Sequence, residues 1–121
     1  MTISTPLDAY YAAVDSGDAD AATAAFTDGG LYIRPSLEVP GTLEVVSGRE
    51  DLLDFFRRRG NPPFRHEVIA CAVDGERCFV EGVAYVRGEP TTSFLVHATV
   101  DANGLVERYF ALMGDLAQPP Q

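Results

Sequence analysis

The chain has 121 residues, 46% of them hydrophobic and 22% charged, which is the size and composition of one globular domain. Eighteen acidic against nine basic residues give a net charge of −9, which disfavours nucleic acid and anionic membranes as partners. No apolar run approaches the roughly 20 residues that span a bilayer, and the N-terminus lacks the features of a signal peptide. We therefore expect a cytoplasmic protein with a single domain over residues 1–121, ending in a loose tail over residues 115–121.

Two helices are predicted before residue 27. Thr5-Pro6 marks the start of the first, because threonine is a good N-cap and proline fits the first helical position. Gly17 ends it. Asp18 or Asp20 caps a second, alanine-rich helix that ends near residue 26. The apolar stripe of the first helix has the spacing i, i+3, i+4, i+7 and consists of Leu7, Tyr10, Tyr11 and Val14.

A third helix is predicted from Arg49 to Arg59. Ser47 and Glu50 form a capping box at its start. Its wide apolar face consists of Leu52, Leu53, Phe55 and Phe56. The basic run over residues 57–59 complements the helix dipole and is predicted to be a solvated surface.

Five strands are predicted around this helix. Residues 27–30 are predicted to form a turn, residues 31–34 a short edge strand, and residues 35–46 a loop long enough to be a pocket rim or lid. The later strands cover residues 64–73, 76–87, 91–100 and 105 to about 113, and their short connections predict an antiparallel sheet. Three helices on a curved antiparallel sheet make an α+β cone, a shape that predicts a small-molecule pocket.

Two cysteines, Cys71 and Cys78, flank Asp74-Gly75. A two-residue turn there would place them opposite each other in a hydrogen-bonded pair with Cα atoms about 5.5 Å apart. That distance does not exclude a disulfide. A reducing cytoplasm nevertheless predicts two free thiols that pack as small hydrophobic residues.

The order helix, helix, strand, helix, four strands resembles the nuclear transport factor 2-like superfamily over about residues 5–113. The segment from Tyr10 to Asp18, followed by Phe26-Thr27-Asp28, is similar to the opening of its ketosteroid isomerase and SnoaL-like branches. The resemblance implies a cystatin-like α+β roll. It does not imply one activity, because the superfamily includes isomerases, dehydratases, hydrolases, cyclases and non-catalytic binding modules.

The resemblance also implies roles for single residues. Tyr10 falls where the steroid isomerases keep an oxyanion-binding tyrosine, and Arg34 and Val96 fall where they keep their two carboxylic acids. Because arginine stays charged and valine cannot donate a hydrogen bond, the steroid-isomerase mechanism is not expected here. Asp15 and His66 resemble an aspartate and a histidine of scytalone dehydratase.

Three of these residues are candidates for chemistry. His66 is the best acid–base candidate, since histidine titrates near neutral pH, although it could be only a half-exposed strand end. Tyr10 would donate to a substrate oxygen or simply pack in the core. Asp15 completes the predicted catalytic set.

Tyr32 and Arg34 share one face of the first strand. If that face lines the cavity, Arg34 would hold an anionic or enolate-like ligand. Alternatively, Arg34 pairs with a protein carboxylate or points to solvent. The carboxylates in question are Glu38, Glu44 and Asp15.

The remaining predicted ligand contacts are Tyr109, Met113, Val96 and Phe56. His97 alternates with Val96 and is predicted to face the outer sheet surface, which in that superfamily is commonly a dimer interface. The expected partners are therefore a second copy of the chain and a small apolar or anionic metabolite. No P-loop, dinucleotide fingerprint, nucleophile elbow or zinc motif is found, so neither a cofactor nor a metal is expected.

Two functions follow from the sequence. The first is a SnoaL-like enzyme without a cofactor that isomerises, dehydrates, cyclises or hydrolyses a metabolite by proton transfer. The second is a non-catalytic ligand-binding or dimerisation module. The first is favoured if Arg34 faces the cavity without a protein carboxylate, and the second if Arg34 is internally paired and His66 lies outside.

Overall fold

The computed structural model describes residues 3–36, 38–59 and 64–116, without the side chains of residues 64 and 115. Its elements are α1 (Asp8–Asp15), α2 (Ala19–Ala24), β1 (Phe26–Pro35), β2 (Leu43–Ser47), α3 (Arg49–Arg59), β3 (Phe64–Asp74), β4 (Arg77–Val86), β5 (Glu89–Val100) and β6 (Val106–Asp115). The strands form one curved sheet in the order β2-β1-β6-β5-β4-β3. The predicted α+β class, with helices covering a curved sheet, is confirmed.

The residues at the boundaries of α1 and α2 favour the start or the end of a helix. Thr5 prepares α1, because its hydroxyl accepts the Leu7 N–H at 2.9 Å, although the helix itself begins only at Asp8. Gly17 ends α1 with a φ of +72°, a conformation that glycine adopts without a steric penalty. Asp18 then caps α2 by accepting the Ala21 N–H at 3.0 Å.

The sheet differs from the prediction around β1. Residues 27–30 lie inside β1 and not in a turn, and residues 43–47 of the predicted loop form the edge strand β2. A Cβ at Gly30 would lie 2.9 Å from the Phe26 side chain, so this glycine serves a close contact and not a turn. Because β1 pairs with β2 on one side and runs parallel to β6 on the other, it is not an edge, and the sheet is mixed.

The hairpin between β3 and β4 turns one residue later than predicted. Gly75 has a φ of +60° and takes the first central position of the turn, so Asp74 pairs with Arg77. Cys71 therefore lies opposite Val80, and the predicted pairing of the two cysteines is wrong. Both cysteines are free thiols, as expected, and burial raises the pKa of the Cys78 thiol to about 11.

One buried cluster connects the helices with the inner face of the sheet. Val96 and Phe56 belong to this cluster and do not lie in the wall of the cavity described below, in contrast to their predicted contact with a ligand. The single domain over residues 1–121 stays a prediction that this cluster supports. Of the predicted tail, Leu116 still donates its backbone N–H to the Thr91 carbonyl at 2.9 Å, and residues 117–121 lie outside the described part.

Candidate functional site

A cavity of about 230 Å³ lies between α1, the end of α3 and one end of the sheet. This volume is below the about 300–1,000 Å³ of most ligand pockets, so the cavity suits a compact molecule. Six of the predicted site residues line it, namely Tyr10, Tyr32, Arg34, His66, Tyr109 and Met113. The other lining residues are Arg59, Ala84, Val86, Thr91, Thr92, Phe94 and Ala111.

Asp15, at the end of α1, holds His66 at the start of β3. One carboxylate oxygen lies 2.6 Å from the His66 Nδ1, and the other accepts the His66 backbone N–H at 3.0 Å. Because a carboxylate accepts hydrogen bonds, Nδ1 carries the proton of the neutral ring, and Nε2 is the nitrogen that can exchange one. Asp15 thus orients His66 as a carboxylate orients a catalytic base. These are the two residues that resemble scytalone dehydratase.

Aromatic rings hold the His66 imidazole from two sides. Tyr11 stacks on it, with ring centroids 5.2 Å apart and planes at 26°, and Phe94 meets it edge-on at 5.5 Å. The Tyr11 hydroxyl lies 3.1 Å from the Tyr109 hydroxyl, which ties this side of the cavity to β6. The sequence placed Tyr11 on the apolar stripe of α1 but gave no signal that its ring would position a histidine 55 residues away.

Three buried tyrosines make the facing part of the wall. Tyr32 and Tyr109 stack with centroids 5.3 Å apart and planes at 11°, and Tyr10 packs on Tyr109 at 4.9 Å. Burial raises the pKa of Tyr10 and of Tyr109 well above the usual phenol value. Their hydroxyls therefore stay protonated at neutral pH and act as hydrogen-bonding groups, not as bases.

Arg59 brings a positive charge to these tyrosines. Its guanidinium is hydrogen-bonded to the Tyr10 hydroxyl and interacts electrostatically with Tyr32 and Tyr109. The prediction that the whole basic run is solvated is wrong for Arg59, which lines the cavity, and fits Arg57 and Arg58, which are exposed.

The sequence held a signal for this position. Arg59 follows the buried residues of α3 at the spacing i, i+3, i+4, i+7. It therefore lies on the face that packs on the sheet and not on the solvent face. The buried residues that share this stripe are Leu52, Phe55 and Phe56.

Arg34 lines the cavity but is paired with a protein carboxylate. Its Nε lies 2.8 Å from the Glu44 Oε1, with side chains 16% and 34% exposed, and its guanidinium lies 5.1 Å from the Phe55 ring centroid. Glu44 belongs to β2, in the segment that the sequence predicts to be a loop. The alternative of an internally paired Arg34 is thus observed, which favours the binding module. His66 lies inside the cavity, which favours the enzyme.

Within residues 3–36, 38–59 and 64–116, no three His, Cys, Asp or Glu side chains converge on a point that could hold a metal ion. In that same part of the chain, every helix is too short or too polar to cross a bilayer.

The outer face of the sheet carries His97 within an apolar patch. His97 stacks on Phe79 at 4.9 Å, and its Nε2 is buried with no hydrogen-bond partner among the described residues. Phe79, Leu95 and Leu112 around it are 46%, 59% and 50% exposed. This orientation agrees with the predicted direction of His97, away from the cavity.

An α+β cone with this helix order and an apolar-walled cavity defines a protein of the nuclear transport factor 2-like superfamily. The family model of the SnoaL-like domain matches residues 7–109. The chain therefore belongs to the SnoaL-like family, as the resemblance in the sequence predicted. No curated protein sequence matches it significantly.

Solved structures share the fold at low sequence identity. A candidate ketosteroid isomerase from Kribbella flavida is 22% identical, with a TM-score of 0.71 over 96% of this chain and 80% of its own. A protein of unknown function from Burkholderia xenovorans, described as NTF-2 like, is 22% identical, with a TM-score of 0.72 over 95% and 84%. SalBIII, an epoxide hydrolase/cyclase-like enzyme with a role in pyran ring formation in salinomycin, is 18% identical, with a TM-score of 0.69 over 90% and 88%.

Proposed function

We propose that this protein is an enzyme that moves a proton, without a cofactor, on a compact and largely apolar metabolite bound in the cavity. The observation that carries the proposal is His66 in the wall of the cavity, with Asp15 at its Nδ1 and with Arg59 and Tyr10 in the same wall. A base, its orienting carboxylate and donors for negative charge are the parts that such chemistry needs.

The proton would move through His66. Nε2 takes a proton from a carbon next to a carbonyl group, and the electron pair of the broken C–H bond moves toward the carbonyl oxygen. The Tyr10 hydroxyl and the Arg59 guanidinium stabilise the charge on that oxygen, and Asp15 stabilises the imidazolium. His66 then returns the proton to another carbon, which isomerises the substrate, or to a leaving hydroxyl group, which dehydrates it.

The family supports this class of reaction without selecting one member. Two of the similar solved structures are named as a candidate isomerase and an epoxide hydrolase/cyclase-like enzyme. Reactions of these kinds use general acid–base catalysis. In this chain, the corresponding acid–base group is His66. Arg34, which the sequence suggested as an oxyanion donor, is instead held by Glu44 and serves the cavity wall.

The Arg34–Glu44 pair also favours a second candidate, a ligand-binding module without catalysis. An arginine neutralised by the protein does not need an anionic ligand to offset its burial. In that case the cavity would hold an apolar molecule, and the Asp15–His66 pair would serve only to join α1 to β3.

Hydrogen exchange in heavy water distinguishes the two candidates. The wild-type protein is mixed with compact ketones, neutral ones and ones bearing a carboxylate, and loss of the α-proton signal is followed by ¹H NMR. We expect at least one ketone to exchange about 100-fold faster than in buffer, the lower range of general acid–base catalysis. Ligand-induced shifts of cavity resonances without any faster exchange would support the binding module and contradict the enzyme.

We also propose a homodimer through the outer sheet face and a cytoplasmic location. The exposed Phe79, Leu95 and Leu112 are costly to leave in water, which supports burial against a second copy. The two free thiols suit a reducing compartment. Sedimentation equilibrium is expected to give twice the 13.1 kDa chain mass, and a species of 13.1 kDa would contradict the dimer.

A further inference from the structure

We infer that the natural ligand of the cavity is a ketone that also carries a hydroxyl group, and that Thr92 of β5 accepts the hydrogen bond of that hydroxyl. This inference deepens the proposed function and rests on it for the ketone group. Thr92 is then a residue that determines specificity, and the substrate class narrows from compact ketones in general to hydroxy ketones.

A bulge in β5 turns two adjacent threonines toward the cavity. The pairing with β4 passes from Pro90 directly to Thr92, so Thr91 is the extra residue. Successive side chains of a regular strand point to opposite faces of the sheet. Here Thr91 and Thr92 both line the cavity, because the bulge interrupts the alternation between them. This part of the wall therefore has two hydroxyl groups side by side.

The hydrogen bonds of these two hydroxyls run in one direction. The Thr91 hydroxyl donates to the Ala84 backbone oxygen at 3.2 Å, and the Thr92 hydroxyl donates to the Thr91 hydroxyl at 3.5 Å. A backbone oxygen can only accept, which fixes the direction of both bonds. In the described part of the chain, no donor reaches the Thr92 oxygen, so its lone pairs are open to a ligand. A ligand O–H that donates to Thr92 extends the chain, and the bonds of such a chain polarise one another.

His66 and Thr92 lie on opposite sides of one small residue in the wall. Ala84 pairs with His66 on β3 and with Thr92 on β5, so the three residues form one row across the sheet. Neighbouring strands are about 4.8 Å apart, which puts the backbones of His66 and Thr92 roughly 10 Å apart. All three side chains line the cavity. A molecule that lies over the Ala84 methyl group therefore meets the imidazole on one side and the threonine hydroxyl on the other.

Apolar side chains make up the wall next to this row. Val86 lies beside the row on β4, and Phe94 lies beside it on β5, where it pairs with Met113 of β6. These three side chains offer a hydroxyl group no strong hydrogen bond. A ligand hydroxyl placed here without Thr92 would lose its water without compensation. Thr92 therefore determines whether this part of the cavity accepts a hydroxyl group or a methyl group.

Pairs of ketones that differ only in a hydroxyl or a methyl group test this site. The pairs are hydroxyacetone with butanone, and hydroxyethyl methyl ketone with propyl methyl ketone. Binding to the full chain is measured by NMR titration near neutral pH. In at least one pair, the hydroxy ketone is expected to bind about 5-fold more tightly than its partner, the usual net gain from one neutral hydrogen bond.

An ether tests the direction of the hydrogen bond. Methoxyethyl methyl ketone has an oxygen that only accepts, so it cannot donate to Thr92. It is expected to bind within about twofold of butyl methyl ketone, which has a methylene group in place of that oxygen. An ether that gains as much as the hydroxy ketone would show that Thr92 is not an acceptor for the ligand.

Thr92→Val removes the hydroxyl and keeps the branched shape that suits a strand. It is expected to abolish the preference for the hydroxy ketone and to leave binding of the methyl partner within about twofold. Thr99→Val makes the same change in the same strand, at a half-buried residue outside the cavity wall, and should leave all affinities unchanged. Thr92→Ser retains the hydroxyl and should retain the preference. If Thr92→Val does not fold, Thr92→Ser against Thr92→Ala provides the same comparison.

The hydroxyl site is overturned if neither hydroxy ketone binds more tightly than its methyl partner, or if no hydroxy ketone binds at all. A preference that survives Thr92→Val, or that Thr99→Val also removes, overturns it as well. The proposed catalysis is judged separately by the exchange experiment. Faster exchange without a hydroxyl preference would leave the enzyme and remove the Thr92 site. A hydroxyl preference without faster exchange would leave the Thr92 site and remove the enzyme.

Discussion

The His66→Gln variant is expected to exchange the α-proton of a reactive ketone about 100-fold more slowly than the wild-type protein, which returns the rate to that in buffer. Glutamine has a similar size but cannot take up a proton, and the backbone N–H of residue 66 can still donate to Asp15. The fold should therefore survive while the chemistry is lost. The rate is measured by ¹H NMR in heavy water, and circular dichroism confirms that the variant is folded.

His97→Gln is the matched control, because it makes the same substitution on the outer face of the sheet, where His97 stacks on Phe79. It is expected to leave the exchange rate unchanged. Asp15→Asn should slow exchange as well, because asparagine does not stabilise the imidazolium. Equal losses in His66→Gln and His97→Gln, or a His66→Gln rate within about twofold of wild type, would show that His66 is not the base.

The Gly82→Ala variant is expected to lose about 3 kcal/mol of its free energy of unfolding, the upper part of the range for overpacked cores. A Cβ at Gly82 would lie 2.2 Å from the Phe94 Cζ and 2.7 Å from the Glu67 backbone oxygen. The oxygen belongs to the neighbouring strand and cannot move without breaking the pairing. Phe94 contacts the rings of His66 and Tyr11, so its ring can move only toward the cavity.

Thermal unfolding measures this effect, and a loss of about 3 kcal/mol corresponds to a fall in melting temperature of roughly 10–15 °C for a domain of this size. Gly29→Ala is the control, because a Cβ at that glycine of β1 would meet nothing within 4 Å. It should change stability by less than about 1 kcal/mol, the usual effect of such a substitution at an unstrained site. Two variants with the same melting temperature would contradict the close contact of Gly82 with Phe94.

The sequence predicted best those parts of the molecule that local patterns determine. The positions of the helices follow from Gly17, Asp18 and the apolar stripe of α3, because capping and periodicity involve only residues a few positions apart. The sequence does not predict the edge strand β2, because Pro35, Pro40 and Gly41 interrupt the pattern before it. Its pairing with β1 depends on tertiary contacts that no local signal reports.

The candidate site shows the same division between local and long-range information. His66 and Tyr10 were found as single residues, but the contact of His66 with Asp15 joins positions 51 residues apart. The basic run predicts a solvated charge at Arg59, although the helical phase of Arg59 places it on the buried face. For Arg59, the residue type predicts solvent, whereas the helical periodicity predicts the buried face.

The parallel pairing of β1 with β6 had no counterpart in the prediction. Short connections predict which consecutive strands are antiparallel, but they contain no information about where an early strand joins the sheet. This pairing brings Tyr32 beside Tyr109 and so builds the tyrosine wall of the cavity.

A crystal structure of the protein with a compact ketone is the most direct test of whether the donors and the base share one ligand. We expect the ketone oxygen to lie on the Arg59 guanidinium and the Tyr10 hydroxyl, with the carbon next to the carbonyl group within about 3.5 Å of His66 Nε2, the separation of a near-attack geometry. A ketone bound on the outer face, or bound in the cavity with His66 turned away from it, would contradict the proposed proton transfer.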